Sequence, residues 1–111
     1  MVHNMSLQDS PFNAIKNGTK TIEMRLYDEK RRKINVGDNI EFTHVDTKEK
    51  ILTKVIALHI FKDFEELYGA FNKTTLGYSQ DEIPNPKDMS KYYDENEIKE
   101  YKVVGIEIKL I

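Results

Sequence analysis

The chain has no cysteine among its 111 residues. That excludes disulfides, thiol nucleophiles and thiolate zinc sites, and it fits a reducing cytoplasm. No apolar run is long enough to span a bilayer. The start, Met1-Val2-His3-Asn4, lacks the basic segment and following apolar run of a signal peptide. The expectation is a soluble cytoplasmic protein with no membrane partner. An excess of positive charge is missing too. Lys and Arg number 17 against 19 Asp and Glu, for a net charge of −2. A general nucleic-acid coat protein is basic. The charge is uneven, with 10 Lys+Arg against 8 Asp+Glu in residues 1–54 and 7 against 11 in residues 55–111. Any nucleic-acid contact is therefore local, sits in the N-terminal half and involves few phosphates.

Several chemical signatures are also absent. There is no Gly-rich phosphate-binding loop. Gly77-Tyr78-Ser79-Gln80-Asp81 lacks the final Gly of a nucleophile elbow. His3, His44 and His59 have no partners at metal-ligand spacing and read as strand residues. Neither a metal nor another cofactor is expected.

The length fits one domain over residues 1–111, large enough for a modest core. Val2 to Leu7 reads as a short strand. Ser10-Pro11 reads as a helix N-cap followed by proline at the first helical position, and Gly18 as the glycine that ends that helix. Asp28 to Lys33 is a charge run without an apolar anchor, an exposed loop or a single helical turn. Val36-Gly37-Asp38 signals a turn. Asn39 to Val45 alternates as a strand, Asp46 to Lys50 is a hairpin loop, and Ile51 to Phe61 is a long strand rich in β-branched residues. Asp63 caps a helix whose Phe64, Leu67, Tyr68 and Phe71 share a face, and Glu66 has capping-box spacing. Lys73 to Met89, with Gly77, Pro84 and Pro86, is long enough to be a functional or partly mobile loop. A helix over Asp94 to Glu100 and a strand over Val103 to Leu110 close the chain. Strands interspersed with short helices give an α+β class.

The densest chemistry lies in Gly18-Thr19-Lys20-Thr21-Ile22-Glu23-Met24-Arg25. A turn glycine leads into a strand in which Ile22, Met24 and Leu26 share one face and Thr21, Glu23 and Arg25 the other. An acid and a base two residues apart become neighbours, and Lys20 joins them at the strand entrance. Without context the pair reads as a surface ion pair contributing about 0–1 kcal/mol. In a cleft, Arg25 offers a planar fork to a phosphate or base edge. Lys30-Arg31-Arg32-Lys33 reads either as a solvated loop or as a phosphate-steering rim. Tyr92 and Tyr93 cannot both point inward, so one is core and the other is free to stack on a base.

Gly18, Lys20, Glu23 and Arg25 fill the fixed positions of the G-x-K-x-x-E-x-R signature of the ASCH domain, a branch of the PUA-like superfamily, and the chain resembles that family. Pro11 to Gly18 resembles its short helix before the motif, and Ile34 to Phe42 its "GD" turn and following strand. Met89 to Tyr93 and Tyr101 to Ile108 resemble the closing segments of small stand-alone members. The resemblance implies a small PUA-like β-barrel with flanking helices and a cleft lined by the motif strand. It implies an RNA-binding or nucleotide-binding module with its cleft around Lys20, Glu23 and Arg25, to which the residue pattern adds Lys30, Arg31, Arg32 and Tyr93 as candidate ligand contacts. It also carries an enzyme alternative. Some very small members deacetylate N4-acetylcytidine with the motif Lys, a Thr three residues later and a later Glu. Here Lys20 matches, Glu23 stands in the Thr position, and Glu65 or Glu66 is the candidate later acid. Lys20 and Glu23 would be catalytic in a hydrolase of a modified nucleoside or of RNA, with Glu23 as base on water. Neither side chain is then expected in the core. A third reading is a module that binds a protein partner.

Overall fold

The computed structural model describes residues 1–111. In chain order the elements are β1 (Val2–Leu7), α1 (Asp9–Lys16), β2 (Ile22–Leu26), α2 (Glu29–Arg32), β3 (Asn39–His44), β4 (Lys50–Phe61), α3 (Phe64–Ala70), a 3-10 helix (Pro86–Lys91), α4 (Glu95–Tyr101) and β5 (Val103–Leu110). The strands form one curved sheet in the order β1-β3-β4-β5-β2. Only the β1–β3 pair is parallel. This is an α+β half-barrel with flanking helices, the class expected from the sequence.

β4 carries a bulge at Ile56, because Val55 pairs with Ile108 and Ala57 already pairs with Glu107. An inserted residue bends a strand and raises its twist. It also changes which side chains point inward. Val55 and Ile108 face the barrel interior before the bulge, and Leu58 and Ile106 face it after. Twelve residues of alternating pattern thus serve a sheet that curls.

Two apolar clusters lie on opposite faces of β5. Inside the half-barrel, Phe12 and Ile15 of α1 pack on Ile40, Phe42, Val55, Val104 and Ile106. On the outer face, Phe64 and Leu67 of α3 pack on Ile22, Met24 and Val103. Strand β5 is covered on both sides, which explains its run of four consecutive buried residues from Val103 to Ile106. Gly105 is one of them. A Cβ there would stand 3.2 Å from Ile22 Cγ2 and 3.4 Å from Phe71 Cε2. The missing side chain is what lets α3 and β2 close on the sheet.

Several boundaries differ from expectation for identifiable reasons. Helix α1 begins at Asp9, with Gln8 at the N-cap making no side-chain cap. Asp9 therefore stands in the first turn, where the helix dipole favours an acid, and its carboxylate takes hydrogen bonds from Asn13 and His44. Pro11 at the third helical position still falls among the N–H groups that have no partner in the helix. Asp63 caps α3 through the Glu66 N–H, but the Glu66 carboxylate reaches the Lys62 N–H rather than closing a capping box. Phe71 is extended and half-buried beyond the end of that helix. The full capping box is at α4, between Asp94 and Glu97. The stretch from Lys73 to Met89 is built of hydrogen-bonded turns, among them Gly77 N–H to Thr74 O at 3.1 Å and Tyr78 N–H to Lys73 O at 3.0 Å.

Leu67 is the fully buried residue that anchors α3 to the sheet. Leu67→Ala is expected to cost about 2–5 kcal/mol by cavity formation. Val36→Ala, at an exposed turn, should stay within about 0.5 kcal/mol. Urea unfolding midpoints of the two variants measure the contrast.

Candidate functional site

Register places the motif. Glu23 pairs with Ile106 and Arg25 with Val104, and paired residues project to the same face. Both charged side chains therefore point into the half-barrel, while Ile22 and Met24 join the cluster under α3. The sheet does not close there. Strand β1 has only β3 as neighbour and β2 has only β5. The gap between these two edges is where the charges meet.

Three groups form one buried cluster. Arg25 Nε donates to Glu23 Oε2 at 2.7 Å, and Lys20 Nζ lies 3.3 Å from Glu23 Oε1. Lys20 Nζ also donates to the Leu76 carbonyl at 2.9 Å, and Arg25 Nη2 to the Ser6 carbonyl of β1 at 3.2 Å. Lys20 is 5% exposed and Glu23 is 4% exposed, so both belong to the interior, contrary to expectation. Exposure of the Arg25 side chain is 16%, and its guanidinium faces the Tyr93 hydroxyl. Gly77 completes the mounting. It holds φ +105°, and a Cβ would fall 3.1 Å from Lys20 Cδ.

Burial by itself pushes the Glu23 carboxyl up. Lys20 and then Arg25 more than reverse that, so its pKa lies below the ordinary carboxylate value. Arg25 moves the opposite way for the same reason. Burial lowers it, Glu23 outweighs burial, and the guanidinium is held charged. The cluster is an ion triad in which each charge depends on the others.

A cavity of about 590 Å³ opens over this triad. Lys20, Glu23, Met24 and Arg25 line one side, and Ser6 and Leu7 the β1 rim. The rest of the lining comes from α3 and the chain after it, with Tyr68, Tyr78, Asp88 and Met89. Tyr92 and Tyr93 stand at the mouth. Tyr93 is the inner of the two, lying parallel to Phe64 at 6.0 Å, and Tyr92 is 64% exposed.

Four sequence-derived candidates therefore meet in one place, namely Lys20, Glu23, Arg25 and Tyr93. Others are placed elsewhere. Thr21 precedes β2, and its N–H bonds the Thr75 carbonyl. It lines a second cavity, beside Thr53 and Leu110, and not the cleft over the triad. Lys30, Arg31 and Arg32 do not line the cleft. Arg31 Nη1 donates to Asp28 at 2.8 Å. Arg32 donates to the Tyr27 and Tyr101 carbonyls and stacks over the Tyr27 ring. Lys30 is exposed on the helical turn α2. Glu65 and Glu66 are exposed on the first turn of α3, outside the cleft. Each histidine bonds one carboxylate: His3 with Asp38, His44 with Asp9 and His59 with Glu107. Sequence reasoning missed Tyr68, Tyr78 and Asp88. Tyr68 reads as helix core by its spacing from Phe64, and the one signal for the other two was the unusual length of their loop.

The triad has a pH signature. A carboxylate with a lowered folded-state pKa contributes stability that is full above the ordinary carboxylate range and is lost as pH falls through the folded value. Glu23→Gln leaves two buried cations without their counter-charge and is expected to cost about 3–5 kcal/mol at pH 7. The difference from wild type should shrink as the wild-type carboxyl is protonated in acid. Denaturation curves at a series of pH values below 7 measure this convergence.

Comparisons place this architecture among known proteins. The crystal structure of hypothetical protein PH0355 superposes with TM-score 0.84 at 33% identity, over 100% of both chains. The solution structure of PF0455 from Pyrococcus furiosus gives TM-score 0.72 at 33% identity, over 100% of this chain and 98% of that one. A mutant of ZmASCH from Zymomonas mobilis shares the fold at TM-score 0.61 and 16% identity, over 97% of this chain and 67% of that one. No curated protein matches the sequence. Residues 5–111 match the ASCH domain, so the cleft around Lys20, Glu23 and Arg25 is that of a chain that belongs to the ASCH domain family, with its PUA-like fold.

Proposed function

We propose that this protein binds RNA, or a nucleotide-like small molecule, in the cleft over the triad. The observation that carries the reading is the convergence in one cavity of a clamped, partly exposed Arg25 with the aromatic faces of Tyr92 and Tyr93. A fixed guanidinium reads base edges or a phosphate, and aromatic rings accept any base by stacking. PUA-like folds are usually linked to RNA binding, which supports the same class of ligand.

The lining charges refine the mode of contact. Lys20, Arg25 and Lys91 are matched by Glu23, Glu82 and Asp88. A cleft so balanced suits one unstacked base or nucleoside unit better than a run of phosphates. Binding should therefore depend weakly on salt, with a slope of log affinity against log salt near one phosphate or below. The hydrolase reading draws less support. A base must take a proton, and Glu23 has both oxygens engaged by cations and a lowered pKa. Its geometry suits holding Lys20 and Arg25 in place.

Tyr92→Ala is the cleanest test, because this ring is exposed and its loss should leave stability almost unchanged. It is expected to weaken binding of single-stranded RNA by about 1–3 kcal/mol. Arg25→Ala should weaken it by a similar amount, about 1–3 kcal/mol, with a stability loss measured alongside. Calorimetric titration with mixed-sequence single-stranded RNA and with free nucleotides separates the two ligand sources. Absence of saturable binding to all of them would remove the reading.

A further inference from the structure

The part of the cleft lining built from α3 and the chain after it carries a chain of hydroxyls whose direction is fixed. The Tyr78 hydroxyl donates to Asp88 Oδ2 at 2.7 Å. A phenol has one proton. The Tyr68–Tyr78 contact of 2.7 Å must then run from Tyr68 to Tyr78. Both protons are spent within the chain. What remains toward the cavity is the free lone pair of Tyr68 and the second oxygen of Asp88, which has no partner in the protein. Burial, then the bonds to Tyr68 and Asp88, pushes the Tyr78 hydroxyl far above its usual range, and burial raises Tyr68 as well. Neither phenol ionises at neutral pH, so the order of donors and acceptors does not change.

The β2 side of the cleft is the reverse. Lys and Arg side chains carry only donors. Glu23, the acid between Lys20 and Arg25, has both oxygens occupied by them. The β2 side of the cleft thus offers donors, while Asp88 and Tyr68 offer acceptors, with Lys91 at the end of the same 3-10 helix as the one cation on that side.

Resting on the RNA-binding reading above, we propose that Asp88, with Tyr78 and Tyr68 behind it, is the specificity determinant of the cleft and selects bases that carry an exocyclic amine. Adenine presents ring nitrogens to Arg25, and cytosine a ring nitrogen and a carbonyl, while each presents an amino donor to Asp88. Guanine also carries an exocyclic amine, and uracil is the one base without it. Uracil puts a carbonyl at the equivalent position, where it meets a carboxylate with no proton between them. Asp88 acts by direct contact. Tyr78 is a positioning residue that fixes which Asp88 oxygen is free, and Tyr68 holds Tyr78.

The experiment compares short single-stranded homopolymers of adenylate, cytidylate and uridylate, titrated against the whole chain. Wild type should bind adenylate and cytidylate about ten- to a hundredfold more tightly than uridylate, the scale of one hydrogen bond to a charged group. Asp88→Asn supplies a donor and should remove most of that preference by improving uridylate binding. Tyr78→Phe should weaken the preference and leave uridylate affinity unchanged, a split that general loosening of the fold would not produce. Equal binding of all three homopolymers overturns the assignment to Asp88 while the RNA-binding reading stands. Preference for uridylate also overturns it. Absence of binding by any homopolymer or by mixed RNA overturns both.

Discussion

The burial of Glu23 between two cations is the constraint on which the rest of this structure depends. An ionised carboxylate in the interior is unfavourable by several kcal/mol unless it is paired and hydrogen-bonded. Here the pairing recruits three separate parts of the chain. Lys20 brings the turn after α1 and ties it to the Leu76 carbonyl. Arg25 brings the edge of β2 and ties it to the Ser6 carbonyl of β1. Gly77 packs on the Lys20 stem where no other residue fits without strain. Remove the central charge and Lys20 and Arg25 are left buried with only these carbonyls to hold them.

That arrangement explains how an incomplete barrel has a defined gap. Sheets that end in two facing edges normally pair them or cover them. Had β1 and β2 formed a ladder, the interior would be sealed and filled with side chains. A single guanidinium bond, Arg25 Nη2 to Ser6 O at 3.2 Å, spans the edges instead. It fixes their separation without filling the space. The apolar cluster under α1 holds the sheet from inside, and the cluster under α3 holds β2 from outside. The cleft remains open because its two rims are braced independently.

Much of this was legible in the sequence, and what was not has a physical reason. Val2–Leu7 and Val103–Leu110 were readable to the residue because Gln8 ends the first pattern and Lys102 precedes the second. The charged face of β2 was readable because period two forces Glu23 and Arg25 to one side. Period two does not say where along the sheet a cleft opens, and Thr21 lies away from it, lining a second cavity with Thr53 and Ile108. Depth was not readable, because alternation says which side a residue faces and not whether that side is covered. Lys20 and Glu23 therefore looked like surface groups. The basic run at Lys30–Lys33 looked like a rim because composition carries no partner information. Its arginines are occupied by Asp28, Tyr27 and Tyr101, the last of these 69 residues away from Arg32. The lining from α3 onward was the least legible part. Tyr68, Tyr78 and Asp88 are brought together by turns between Lys73 and Lys91, and no periodicity encodes that meeting.

The two walls differ in how they are built, and the difference bears on function. The cationic side sits on a strand whose position is fixed by register, by a buried triad and by two apolar clusters. Such a site is precise because its supports are locked by packing. The acceptor side hangs on short turns and a 3-10 helix, pinned at Leu76 and Met89 and otherwise partly exposed. Loops on a rigid scaffold are where binding preferences change most cheaply. The division of labour follows from the mechanics. The motif strand is costly to alter, because a change at Glu23 leaves buried cations unpaired. Apart from Leu76, Gly77 and Tyr93, which contact Lys20 or Arg25, the chain from Lys73 to Tyr93 carries no part of the triad, so substitutions at Tyr78 or Asp88 bring far smaller risk to the fold.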